Sequence, residues 1–67
     1  MFALEFHVRP RGRDPRWVVT IDDRLYGAYL DKEQALLDAV DAARDAMQAG
    51  HDAQVWVKGR SALTRVF

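Results

Sequence analysis

One stretch of the chain, residues 32–49, is rich in alanine and leucine and holds neither glycine nor proline. Asp31 stands directly before it as a good N-cap, and Gln34 three residues later completes a capping-box-like pair. Gly50 follows at the position where a glycine commonly ends a helix. The sequence therefore predicts one helix over residues 32–49. Its expected buried stripe is Leu36, Ala39, Val40, Ala43 and Met47, flanked by Ala35, Ala42 and Ala46.

The segments on both sides of this helix alternate apolar and polar residues, as half-buried strands do. Residues 2–8, for example, place four large apolar side chains on one side and Ala3, Glu5 and His7 on the other. Gly27 within the third segment is typical of a bulge or of a close backbone approach. The predicted strands cover residues 2–8, 16–21, 24 or 25 to 30 and 53–58, with a short last strand or extended tail at 63–67.

Proline, glycine and aspartate mark the connections between these strands. Residues 10–15 hold two prolines and a glycine, which favour a loop. Asp22 and Asp23 form a plausible tight turn, because aspartate tolerates a left-handed backbone. The prediction is a single α+β domain, residues 1–67, in the order β-β-β-α-β-(β), with one helix packed on an antiparallel sheet. The predicted core is Leu4, Phe6, Trp17, Val19, Ile21, Leu36, Val40, Ala43, Val55 and Val57.

The chain is short for an independent core. It has 67 residues and no cysteine, so disulfides, cysteine-based zinc fingers and thiol catalysis are excluded. A chain near 60 residues buries only about 60% of its unfolded surface, which leaves its stability marginal. We therefore expect a second copy of the chain to supply further burial in a homodimer.

A single helix covers one face of a sheet, so apolar and aromatic residues on the other face are candidates for a dimer interface. Core packing and a base-stacking or ligand-binding surface are the alternatives for the aromatic residues. The candidate interface residues are Val18, Tyr26, Leu30, Trp56, Leu63 and Phe67.

The formal net charge of zero conceals an uneven distribution. Residues 1–19 hold four basic and two acidic side chains, residues 20–53 hold three and eight, and residues 54–67 hold three and none. Basic strands and loops could bind the phosphates of a nucleic acid, or they could balance the acidic helix as solvated charges. The sequence pI of 6.7 is below the value above about 9 that is typical of nucleic-acid-binding domains. The candidate nucleic-acid-binding residues are Arg9, Arg11, Arg13, Arg16, Lys58, Arg60 and Arg65.

No set of residues in the sequence forms a recognisable catalytic motif. His7 falls within a predicted strand, His51 follows the helix, and Ser61 lies in a turn without a nucleophile-elbow pattern. The four glycines are isolated, so no phosphate-binding loop is predicted. We expect neither an enzyme nor a cofactor.

The aspartates are better explained by structure than by chemistry. Asp38, Asp41 and Asp45 share one helix face and could in principle ligate a hard cation, but no calcium-binding loop pattern accompanies them. An exposed acidic helix face is the usual explanation. Asp22 and Asp23 are adjacent and point to opposite sides of a strand, which disfavours joint acid–base work. We expect no metal site.

No apolar run approaches the roughly 20 residues of a membrane-spanning helix. The first residues, Met-Phe-Ala-Leu-Glu, lack the basic start and long apolar stretch of a signal peptide. We therefore expect a soluble cytoplasmic protein without a membrane partner.

Several segments together resemble a small bacterial family of unknown function, similar in plan to the YegP-like fold. They are a Trp-x-Val strand at 17–19, an aromatic strand end that leads into the helix at 29–36, alanines along the helix, and a last strand ending at a glycine turn at 53–60. The resemblance covers about residues 16–67 and departs in the Arg-rich loop at 9–16 and the apolar end at 63–67. It implies β-β-β-α-β units that join their sheets and exchange C-terminal strands. It implies no catalytic residue, cofactor or ligand.

Two functional hypotheses follow. The first is a non-enzymatic homodimeric protein-interaction module, with exchanged C-terminal strands as one of its forms. The alternative is a nucleic-acid-binding protein that uses the Arg-rich loop and a basic sheet. An enzyme or small-ligand carrier is the least favoured class.

Overall fold

In a computed structural model, residues 3–12, 16–59 and 62–67 form a five-stranded sheet with one helix across it. The strand order in the sheet is β3-β2-β1-β4-β5. This arrangement confirms the predicted α+β class and the order of elements along the chain. The elements are β1 Leu4–Pro10, β2 Trp17–Ile21, β3 Arg24–Tyr29, α1 Lys32–Gln48, β4 Ala53–Lys58 and β5 Leu63–Arg65.

The sheet is mixed, whereas the sequence predicted an antiparallel one. Strand pairs β1–β2, β2–β3 and β4–β5 are antiparallel, but β1 and β4 are parallel. The crossover explains the difference. Because β3 runs in the same direction as β1, a helix that returns the chain across the sheet lets β4 start at the same end as β1. The parallel pair lies in the middle of the sheet and aligns His7 with Trp56.

The core lies between α1 and one face of the sheet. Ala35, Ala39 and Ala43 are fully buried along the centre of the helix stripe. Their small side chains let the helix axis approach the strands closely. Met47 was expected in the stripe but is 49% exposed, because alanines occupy its centre and the larger residues lie at its sides. The strand residues buried in this core are Phe6, Val8, Val19, Ala53, Val55 and Val57.

All ten predicted core residues belong to this core or pack against it. Val8, Ala35, Ala39 and Ala53 complete it. The first strand begins at Leu4 in the structure, and Phe2, which was predicted to share its apolar side, lies outside the described residues.

The predicted N-cap of the helix is confirmed, but the predicted return bond from Gln34 is not formed. The Gln34 backbone N–H donates to Asp31 Oδ1 at 2.8 Å, so Asp31 is the N-cap. The side chain of Gln34 does not return to Asp31 and instead donates to Asp38 Oδ1 at 3.4 Å. The capping box is therefore incomplete, and its glutamine lies along the exposed side of the helix.

The helix ends in a Schellman motif, as Gly50 predicted. Gly50 has a φ of 95°, a conformation that glycine adopts at little cost. Its N–H donates to the Met47 carbonyl, and the His51 N–H donates to the Ala46 carbonyl, both at 3.0 Å. In the described part of the chain, no helix combines the length and apolar character that crossing a bilayer requires.

The turn before β3 and the bulge within it were both predicted. Asp22 and Asp23 have φ values of 49° and 70°, as the central residues of a type I′ hairpin turn do. The register of β2 and β3 shifts between Val19 and Thr20, so β3 contains a bulge next to Gly27. A Cβ at Gly27 would lie 2.7 Å from the Tyr29 hydroxyl oxygen. The predicted bulge is therefore confirmed, whereas the group that approaches Gly27 closely is the Tyr29 side chain and not backbone.

The end of the chain pairs with β4 of the same molecule. Beyond β5, Val66 N–H donates to the Val55 carbonyl, and Val55 N–H donates to the Phe67 carbonyl. Val66 and Phe67 thus both lie opposite Val55, as two residues oppose one in a β-bulge. Phe67 is half-buried and packs against the core on the helix side. An exchange of C-terminal strands between two chains would have to open this pairing.

Candidate nucleic-acid interface

The face of the sheet opposite α1, here called the open face, carries the residues that alternate with the core residues along each strand. Strand register places them in rows across the sheet. Its residues are Glu5, His7, Arg9, Val18, Thr20, Leu25, Ala28, Gln54, Trp56, Lys58, Leu63 and Arg65.

The open face carries three basic side chains from three strands. Arg9 lies on β1, Lys58 on β4 and Arg65 on β5, and all three are exposed. Arg9 and Lys58 each lie one residue beyond the paired Val8 and Val57, so they are neighbours on adjacent strands. Like charges at such positions destabilise a sheet unless something neutralises them.

The described residues supply little to neutralise these cations. Glu5 lies beside His7, with 3.3 Å between Oε1 and Nε2. Glu5 is also the one acid on the open face among these residues. Among the described strand residues, the open face therefore carries three basic side chains against one acidic side chain, and Arg65 Nε donates to the Phe67 carbonyl oxygen at 2.9 Å.

A shallow depression of ≈ 470 Å³ lies at one end of the open face. Its floor includes Val18 and Thr20, which are 6% and 7% exposed although the helix does not cover them. Arg9, Arg11 and Lys58 line it together with Pro10, Gly12, Leu25 and Gly59. Asp23 is the one acidic residue of the lining. Such a basic recess suits an anionic group.

Next to the depression, three flat side chains form a row across adjacent strands. His7 aligns with Trp56, and Trp56 aligns with Arg65. The Trp56 indole Nε1 donates to Gln54 Oε1 at 3.0 Å, so the ring leans along β4. His7 contacts Glu5, two residues earlier on β1, in the same way. We call His7, Trp56 and Arg65 the stacking row.

The parallel pairing of β1 and β4 produces this similarity. Glu5 aligns with Gln54 just as His7 aligns with Trp56. Two rings on neighbouring strands are thus held by acceptors at equivalent positions. His7 and Gln54 were not predicted as residues of this site, since only the parallel register brings His7 beside Trp56 and Gln54 beside Glu5.

The structure brings most of the predicted basic residues to one side of the sheet. Arg9, Lys58 and Arg65 lie on the open face, and Arg11 lines the depression. Arg16 is exposed just before β2 and has an interaction with another group. Arg13 and Arg60 lie outside the described residues.

The predicted dimer-interface residues are instead dispersed. Trp56 and Leu63 are on the open face, where Val18 is buried within the single chain. Tyr26 contacts Phe6 edge-to-face with 5.9 Å between ring centroids, so it lies on the helix side. The other two candidates are Leu30, which is 83% exposed beyond β3, and Phe67, which packs against the core.

The titratable groups outside the open face do not form a second candidate site among the described residues. Burial, together with a side-chain hydrogen bond to Asp38 and the Coulombic effect of that carboxylate, raises the pKa of Tyr29 to about 12. In the ranges that the structure describes, no three His, Asp or Glu side chains come together as they would around a metal ion. Ser61 lies outside those ranges, and His51 is exposed beyond the helix.

Comparisons of the chain with protein-family models, with curated proteins and with solved structures found no match. The resemblance to the YegP-like fold therefore stays a prediction. The functional conclusion rests on the geometry and charge of the open face.

Proposed function

We propose that this protein binds nucleic acid through the open face of its sheet. The observation that carries the proposal is the convergence of Arg9, Arg11, Lys58 and Arg65. They are up to 56 positions apart in the sequence and gather around one depression and one indole ring. Phosphate contacts by such residues supply most of the non-specific affinity of nucleic-acid-binding proteins.

The opposite sign of charge on α1 supports this orientation. The described helix carries Glu33, Asp38, Asp41 and Asp45 against Lys32 and Arg44. The acidic residues thus lie on the side of the molecule away from the open face. A protein with zero formal net charge can present a positive surface to a polyanion when its charges are segregated in this way.

The proposal is tested by fluorescence anisotropy with a labelled oligonucleotide between about 50 mM and about 200 mM salt. Four phosphate contacts predict a slope of log affinity against log salt of about −3 for a single strand. Lys58→Gln should reduce the slope by about 0.7. The matched control is Arg44→Gln, which removes one positive charge from the helix side and should leave the slope unchanged.

Two results would contradict the proposal. One is the absence of binding at the lowest salt concentration with folded protein. The other is an equal loss of affinity in Lys58→Gln and Arg44→Gln, which would show that overall charge, not the open face, governs binding.

A second candidate function is the homodimeric interaction module, and the edge strand β3 favours it. None of its six residues is buried, and in the described part of the chain it pairs only with β2. Arg24 is its one charged residue, so it lacks the several charges that commonly protect an edge from pairing. Pairing of two β3 strands would join two sheets without opening either chain.

Sedimentation at micromolar concentration tests this second candidate. Dimerisation through β3 predicts that Leu25→Lys, a change at a residue 66% exposed, converts dimer to monomer. Leu37→Lys, at a residue 58% exposed on the helix, should leave the dimer intact. A wild-type protein that is monomeric and folded would exclude it.

A further inference from the structure

We infer that the nucleic acid bound by the open face is single-stranded, with a base stacked on the Trp56 ring and a phosphate in the neighbouring depression. This inference rests on the proposed function and specifies its ligand. It depends on the stacking row and the depression lying side by side on one face.

The stacking row offers three planar groups of different kinds at one level of the sheet. An imidazole, an indole and a guanidinium come from β1, β4 and β5, respectively. Each of these groups can stack on a nucleobase. Trp56 lies in the middle and is half-buried, and its indole N–H is already bonded to Gln54. The ring is therefore fixed in direction, which lowers the entropy cost of stacking a base on it.

The basic residues are placed to hold the backbone of the same nucleotide. Arg9 follows His7 by two residues, and Lys58 follows Trp56 by two residues. Same-face neighbours along a strand are about 6.6 Å apart. A nucleotide can thus place its base on the stacking row and its phosphate among Arg9, Arg11 and Lys58, the basic residues of the depression.

A duplex fits this surface less well. Its bases are paired and stacked on one another, so their faces are not available to a ring lying within a sheet. A duplex could contact the basic residues by its phosphates alone. The stacking contribution should therefore separate single strands from duplexes.

The experiment compares a single-stranded DNA oligonucleotide of roughly 12 nucleotides with a hairpin duplex of the same base composition. Affinities are measured at about 200 mM salt, where phosphate contacts contribute less. The single strand should bind about 5- to 150-fold more tightly, the range expected for one stacked base. Trp56→Ala should remove this preference and leave duplex binding unchanged, whereas Trp56→Phe should retain most of it.

Tryptophan fluorescence gives an independent readout. The single strand should quench the wild-type emission. In Trp56→Phe the remaining tryptophan, Trp17, packs on the helix side with Lys32 Nζ 5.7 Å from its ring centroid, so its emission should not change. Circular dichroism establishes that each variant is folded.

Equal affinity of single strand and duplex, with the steep salt dependence retained, would overturn this inference and leave the proposed function standing. An equal weakening of both ligands in folded Trp56→Ala would overturn it as well. Failure of both ligands to bind at about 50 mM salt would remove the proposed function itself.

Discussion

The two faces of the sheet solve different physical problems. On the helix side, Phe6, Val8, Val19 and Val55 are at most 2% exposed, and three alanines bring α1 against them. On the open face, the adjacent positions of β1 and β4 hold charged and aromatic side chains that the helix does not cover. One side thus satisfies the ordinary rules of a core, and the other places like charges beside one another.

This difference separates the positions that folding alone explains from those that the proposed binding function would explain. A protein that only needed to fold could place opposite charges on adjacent strands of an exposed face. Here Arg9 and Lys58 are neighbours instead. Local rules broken at clustered positions, in a chain that otherwise obeys them, are typical of functional sites.

The comparison is tested most strongly by two adjacent residues of β1. Phe6→Ala should lower the free energy of unfolding by about 3–5 kcal/mol, because it leaves a cavity in the core. His7→Ala should change it by less than about 0.5 kcal/mol. Urea denaturation checks both. For a domain of this size, Phe6→Ala protein that is largely unfolded in water also fits the expectation, whereas an equal cost at the two positions would contradict the division into two faces.

A change on the helix tests how closely α1 lies on the sheet. Ala39→Leu should destabilise the protein by about 1–3 kcal/mol, because Ala39 is fully buried and three added carbon atoms would push the helix away. Leu37→Ala, on the exposed side of the same helix, should change stability by less than about 0.5 kcal/mol. A neutral Ala39→Leu would mean that the interface between helix and sheet has room to spare.

The helix side of the sheet could be predicted from the sequence better than the open face, for a physical reason. Burial depends on local periodicity, so the alternation along β1 and the stripe of α1 were readable in single segments. Met47 was misplaced because spacing alone does not tell which residue of an apolar stripe lies at its centre. The alanines decide that, since the closest approach to the sheet requires the smallest side chains.

The open face depends instead on which strands become neighbours. Arg9, Lys58 and Arg65 could be named as candidates from the distribution of charge along the sequence. That they lie on one face of neighbouring strands follows from the parallel pairing of β1 and β4. That pairing follows from the path of the chain through α1. Likewise, Tyr26 was expected among exposed interface residues and lies on the helix side, because the bulge in β3 shifts the alternation there.

The bulge itself provides a smaller test on the helix side. Gly27→Ala should destabilise the protein by about 1–2 kcal/mol, because the new Cβ would lie 2.7 Å from the Tyr29 hydroxyl oxygen. In a Tyr29→Val background the clash is absent, and the alanine should be neutral or stabilising, as in an ordinary strand. A double-mutant cycle measures the coupling. Additive effects would show that the Tyr29 ring moves away at no cost.

The smallest expected effect is the response of Tyr29 to alkaline pH. Its pKa is raised from 10.0 to about 12 in the folded protein, so the unfolded chain loses this proton first. The contribution of Tyr29 to stability is therefore complete below about pH 10 and is lost as the pH rises toward 12. Urea denaturation from about pH 9 up to the folded pKa of about 12 checks this. The free energy of unfolding should fall less steeply with pH in Tyr29→Phe than in the wild type. Tyr26→Phe removes only the smallest of the causes that raise the pKa of Tyr29, so its curve should lie closer to that of the wild type than the Tyr29→Phe curve does. If the free energy of unfolding depended on pH identically in all three proteins, the raised pKa of Tyr29 would not contribute to the stability of the protein.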